Sequence, residues 1–101
     1  MEKKKPHYNL QDAQAIVERD GVMTFTQTAI AGAAALGLSA EVACRVVCQL
    51  GRAQFYKSMT THLNSQVWQD VYSALCPNGK TAYVKLTLTT SGKVVIQFKE
   101  K

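Results

Sequence analysis

Thr81-Ala82-Tyr83-Val84-Lys85-Leu86-Thr87-Leu88-Thr89-Thr90-Ser91-Gly92-Lys93-Val94-Val95-Ile96-Gln97-Phe98-Lys99 is the stretch on which the fold turns. Val84, Leu86 and Leu88 alternate with Tyr83, Lys85, Thr87 and Thr89, and Val94, Ile96 and Phe98 alternate with Val95, Gln97 and Lys99. A period of two marks strands with one face covered, so residues 81–89 and 94–99 read as a hairpin. A three-residue loop Thr90-Ser91-Gly92 puts glycine where the backbone turns left-handed. It also sets Leu88 opposite Val94, Leu86 opposite Ile96 and Val84 opposite Phe98, an all-apolar face. A two-residue loop Ser91-Gly92 sets Leu86 against Gln97 and Phe98 against Lys85. A slip of one residue inverts every side chain, so the three-residue loop is preferred. The other face then carries Tyr83 opposite Lys99 and Lys85 opposite Gln97.

Upstream, residues 54–60 and 67–72 also read as strands, whereas the first half has helical spacing. Asn9 caps a helix carrying Leu10, Ala13, Ile16 and Val17, which Gly21 ends. Residues 22–26 form a short β-prone piece. Thr26 or Gln27 begins an alanine-rich helix with Ile30, Ala33, Ala34 and Leu36, stopped at Gly37. Ser39 caps a third helix with Val42, Val46, Val47 and Leu50 on one face, ending at Gly51. The expected fold is α+β, with N-terminal helices packed on one face of an antiparallel sheet formed mainly by the C-terminal half. No repeat or linker divides the 101 residues, which suit a single domain, 1–101.

Charge is uneven. Residues 1–50 hold five bases and five acids, whereas residues 51–101 hold seven bases against Asp70 and Glu100 alone. The net +5 therefore sits in the second half, which favours a polyanionic partner. The three cysteines have neither the number nor the spacing of a zinc site and read as reduced, mostly buried thiols. No cofactor is expected. The basic opening Met1-Glu2-Lys3-Lys4-Lys5-Pro6 precedes no apolar run and reads as a frayed tail, and no stretch suits a bilayer span. A cytoplasmic protein is expected.

Carboxylate clusters for metal-dependent hydrolysis, phosphate-binding glycine loops and nucleophile–His–acid sets are all missing from the pattern. His7 and His62 read as solvated, Asp70 as a structural hydrogen-bonding residue, and Trp68 and Phe55 as packing residues. What the chain does offer suits RNA cleavage without a metal. The ribose 2′-OH is a tethered nucleophile, so the protein has only to orient it, move protons and neutralise the phosphorane-like transition state. Lysines and a tyrosine at close quarters serve that chemistry, since ammonium groups beside a phenol favour the phenolate.

Specific strings sharpen this reading. Phe55-Tyr56-Lys57-Ser58-Met59-Thr60-Thr61, Val67-Trp68-Gln69-Asp70-Val71-Tyr72, Tyr83-Val84-Lys85 and Phe98-Lys99-Glu100-Lys101 together resemble the MqsR family, as do the opening Met1-Glu2-Lys3 with Pro6-His7 and the later Leu36-Gly37-Leu38. The resemblance runs nearly end to end. It implies a RelE-like ribonuclease fold and a toxin that cuts free mRNA at GCU-type triplets, without ribosome or metal. Carried over by position, it places catalytic roles on Lys57, Gln69, Tyr83 and Lys99, with Lys85 and Arg52 extending the RNA track. It also implies an MqsA-like antitoxin with a zinc-binding N-terminal domain and a helix-turn-helix C-terminal domain, so that DNA is reached only through that partner. The chain departs from the family after Tyr72, where Ser73-Ala74 stands in place of Arg-Pro, which bears on triplet preference. The alternative is a non-catalytic RNA- or protein-binding regulatory module on the same fold.

Overall fold

A computed structural model describes residues 1–101. Five strands, β1 (Glu2–Lys3), β2 (Phe55–Thr60), β3 (Trp68–Leu75), β4 (Thr81–Leu88) and β5 (Val94–Glu100), form one antiparallel sheet in the order β1-β2-β3-β4-β5. Three helices, α1 (Leu10–Asp20), α2 (Gln27–Ala35) and α3 (Ala40–Cys48), precede the four long strands and pack on one side of the sheet. The α+β architecture is the one expected. No single helix is long and apolar enough to cross a membrane.

The hairpin has the register its apolar pattern demands: Leu88 pairs with Val94, Leu86 with Ile96, Val84 with Phe98, Lys85 with Gln97 and Tyr83 with Lys99. The Thr89 N–H donates to the Lys93 carbonyl at 2.8 Å, closing the loop over Thr90-Ser91-Gly92, and Gly92 has φ +82°. A side chain there would strain the turn. Ala82, Val84, Leu86, Val94, Ile96 and Phe98 are all buried, and with Val17, Ala29, Ala33, Leu36, Val46 and Val47 they make the core between helices and sheet.

Each helix begins on a side-chain cap. Asn9 Oδ1 accepts from Asp12 N at 2.9 Å, Thr26 Oγ1 from Ala29 N at 3.0 Å and Ser39 Oγ from Val42 N at 3.2 Å. Such caps satisfy backbone donors that the first turn leaves free. The inward face of α2 differs from the expected one. Ala29, Ala33 and Leu36 point into the core, while Ile30 and Ala34 are exposed. An alanine-rich helix is apolar all round, so its pattern does not disclose which side is buried.

Residues 22–26 do not form a strand. Gly21–Thr24 is a 3-10 turn, and Phe25 makes a single parallel bridge to Ile96, where Thr26 N donates to the Ile96 carbonyl at 3.1 Å. This covers part of the free edge of β5. Gly32 of α2 lies so close to β5 that a β-carbon there would stand 2.0 Å from the Phe98 carbonyl oxygen.

The N-terminal segment is a second departure: it is not a frayed tail. Glu2 and Lys3 pair with Met59 and Ser58. The fully buried Asp70 carboxylate then accepts from His7 N at 3.0 and 3.1 Å and from Tyr8 N at 2.9 Å. Asp70 is thus the hydrogen-bonding residue it was expected to be, and the tie it makes fastens the first eight residues to β3. The His7 ring, exposed but not free, stacks on Trp68 at 5.3 Å. Asp70→Ala leaves those amide donors without partners. A loss of about 2–3 kcal/mol is expected, the cost of unpairing buried donors from a charged acceptor. Thermal denaturation should show a fall of roughly 10 °C or more for a chain of this size.

Candidate active site

The sheet face opposite the helices carries the side chains that alternate with the core. On β4 these are Tyr83, Lys85 and Thr87; on β5, Gln97 and Lys99; on β3, Gln69, Val71 and Ser73. β2 is irregular. Phe55 pairs with Tyr72 but Lys57 pairs with Val71, so Tyr56 is an extra residue inserted into the strand. A bulge bends the chain locally and re-aims side chains. Here Tyr56 and Lys57 both come to line the open face beside Tyr83.

Tyr56, Lys57, Met59, Val71, Tyr83, Lys85 and Lys99 enclose a cavity of about 290 Å³. Val71 is only 2% exposed yet lies outside the core cluster, because it forms part of the cavity instead. Three ammonium groups from three strands therefore meet over an apolar patch next to two phenols. The Tyr56 and Tyr83 rings stack, 6.0 Å between centroids and 20° between planes. Lys57 Nζ lies 5.3 Å from the Tyr56 centroid and 3.0 Å from Glu2 Oε2. That carboxylate raises the Lys57 pKa above the ordinary lysine value, chiefly through the hydrogen bond, and the same bond lowers the Glu2 pKa. Lys85 goes the other way. Burial first, then Lys99 and Lys57, lower its pKa.

Of the residues expected to act together, Lys57, Tyr83 and Lys99 share this cavity, and Lys85 shares it too. Gln69 does not line it. Its Cα partner is Met59, a cavity residue, and Val71 lies two positions further along the same strand, about 7 Å away by strand geometry. Gln69 thus stands one row beyond the cavity on the same face. Arg52 is apart from the cavity, its guanidinium 5.1 Å from the Phe55 ring centroid. Tyr56 and Glu2 were missed. A bulge gives no signal in an alternation pattern, and Glu2 reaches Lys57 only through a two-residue strand too short to show any period.

One side of the Trp68 ring is occupied: His7 stacks on it, and Lys3 Nζ, 2.8 Å from His7 Nδ1, lies 4.3 Å from its centroid. Cys44, Cys48 and Cys76 are free, and burial pushes all three thiols up. They are held away from nucleophilic chemistry.

An arrangement of cations and phenols around an open cavity suits a phosphodiester, whose charge it neutralises and whose protons a phenol or amine can exchange. The family model described as "Motility quorum-sensing regulator, toxin of MqsA" matches residues 5–100. The mRNA interferase toxin MqsR of Escherichia coli (strain K12) is 38% identical over 101 residues, covering all of both chains.

Proposed function

This chain belongs to the MqsR toxin family, and from that premise we propose that it is a toxin mRNA interferase, an endoribonuclease acting from one domain, 1–101, on single-stranded mRNA. It cleaves independently of ribosome and metal, at GCU-type triplets in the cytoplasm, so that translation and growth stop. The observation that carries it is the meeting of Lys57, Lys85, Lys99 and Tyr83 around one cavity.

The ribose 2′-OH attacks the adjacent phosphorus, forming a 2′,3′-cyclic phosphate as the bond to the 5′-oxygen breaks. The 2′-OH gives up its proton and the departing 5′-oxygen takes one up, so protons balance; Tyr83 makes one of these two transfers. Lys57 and Lys99 hold the non-bridging oxygens, whose charge grows in the transition state. The Glu2 carboxylate on Lys57 marks where an anion is held, and substrate phosphate takes its place. Gln69, one row further along, positions the ribose or phosphate through hydrogen bonds from its amide, and Arg52 extends the track beyond the cavity. A site rich in ammonium groups repels a divalent cation, which favours a reaction that uses none. The partner is an MqsA-like antitoxin with a zinc-binding N-terminal domain and a helix-turn-helix C-terminal domain, through which DNA is reached.

Induced expression tests this reading. Growth should stop with wild type and continue with Lys57→Ala, and an MqsA-type antitoxin should restore growth to the wild type. Tolerated expression of folded wild-type protein would favour the binding module instead.

Lys85 adds a pH signature. Its folded pKa is lowered, so as pH rises it loses its proton, and its grip on phosphate, ahead of Lys57. RNA affinity should fall at lower pH in wild type than in Lys85→Arg, because arginine keeps its charge throughout. Superimposable titrations of affinity against pH would remove Lys85 from phosphate binding.

A further inference from the structure

A second cavity adjoins the first. It measures about 470 Å³ and shares Tyr56 and Tyr83 with the first, so the stacked pair of rings stands between them. Ala53, Gln54, Phe55, Ser73 and Lys101 complete its walls, and no aspartate or glutamate lines it. Lys101 Nζ donates to Ser73 Oγ at 3.2 Å and lies 5.6 Å from the Tyr83 centroid. That hydrogen bond leaves the ammonium its other donors and leaves the Ser73 hydroxyl its own proton to give. Tyr56 remains 46% exposed despite its stacking on Tyr83.

An aromatic wall beside a tethered cation and a free hydroxyl fits a ligand that is at once flat and anionic. On the reading of the first cavity as the place where RNA is cut, such a ligand is already present: the strand continues past the scissile phosphate. We propose that the second cavity is a subsite for the nucleotide flanking the cut, its base against the exposed Tyr56 ring and its phosphate on Lys101. Ser73 then has a function of its own. It helps hold the Lys101 ammonium over the cavity, so that a serine and a distant lysine together supply a cation there. Base stacking on aromatic side chains and phosphate contact both strengthen binding of single strands.

The test uses a dinucleotide spanning the cut and the same RNA lengthened by one nucleotide on its 5′ or its 3′ side. For wild type, lengthening on one side should raise kcat/KM about tenfold, the order expected for one stacked base. The double variant Ser73→Ala/Lys101→Met should reduce that gain to about twofold or less, the residue being stacking alone. An abasic extension should give wild type less of the gain than a full nucleotide. The same series with a 2′-deoxy sugar at the cut measures affinity without cleavage. An equal gain in wild type and double variant, or no gain on either side, would overturn the subsite. Tight, extension-dependent binding with no cleavage of any RNA would instead overturn the ribonuclease reading and leave the subsite standing.

Discussion

Tyr83→Phe should fold and bind RNA like the parent and lose about a hundred- to ten-thousandfold of its cleavage rate, the usual worth of a proton-transfer group. The substitution removes one oxygen and keeps the ring, so the stack on Tyr56 at 6.0 Å and the core beneath are undisturbed. Tyr83 sits on an interior strand, paired to Ser73 on one side and Lys99 on the other, where its backbone has little freedom to adjust. Single-turnover cleavage measured beside RNA affinity separates the outcomes. A lowered rate at unchanged affinity assigns the phenol to the chemical step. An undiminished rate would remove it from the mechanism and leave the lysines to account for catalysis.

Gly32→Ala should be the most damaging small substitution on the helical side. Helix propensity alone favours it by about 1 kcal/mol, since glycine is a poor interior residue. Against that, the new β-carbon would stand 2.0 Å from the Phe98 carbonyl oxygen and 3.1 Å from its carbon, both backbone atoms. Backbone in the sheet does not move aside as a flexible side chain would, so overpacking, typically about 1–3 kcal/mol and more when backbone must shift, outweighs the propensity gain. The Lys99 α-carbon, 3.4 Å from the same point, is at ordinary contact distance, so the clash falls on the Phe98 carbonyl. A lower Tm together with weakened cleavage is therefore expected. A raised Tm would show that α2 and β5 can separate freely.

The hairpin was legible because its two apolar sets leave one acceptable register, and that register alone places Tyr83 beside Lys99. The caps Asn9 and Ser39 were legible for a similarly local reason: a short polar side chain ahead of an apolar run. What could not be read depends on distant partners. β1 exists because Asp70, more than sixty positions away, accepts the amides of His7 and Tyr8. Residues 22–26 have β propensity, but the chain there has to turn from α1 into α2, and only Phe25 reaches β5. Of the candidate site, the hairpin register brought Tyr83, Lys85 and Lys99 together and the family resemblance added Lys57, whereas Gln69 and Arg52 lie outside the cavity and the bulge that adds Tyr56 and the carboxylate of Glu2 on Lys57 gave no signal. Both are tertiary facts without a local signature.

In the proposed reaction the cluster of lysines and tyrosine cuts RNA by way of the RNA's own 2′-OH. The most direct measurement is incubation of antitoxin-free protein with a labelled single-stranded RNA of varied GC-centred triplets, in excess EDTA. The RNA is matched by one carrying a 2′-deoxy sugar at the cut. Cleavage that persists in EDTA, leaves a 2′,3′-cyclic phosphate and stops at the deoxy position is the predicted result. Folded protein that binds both RNAs and cuts neither would contradict it.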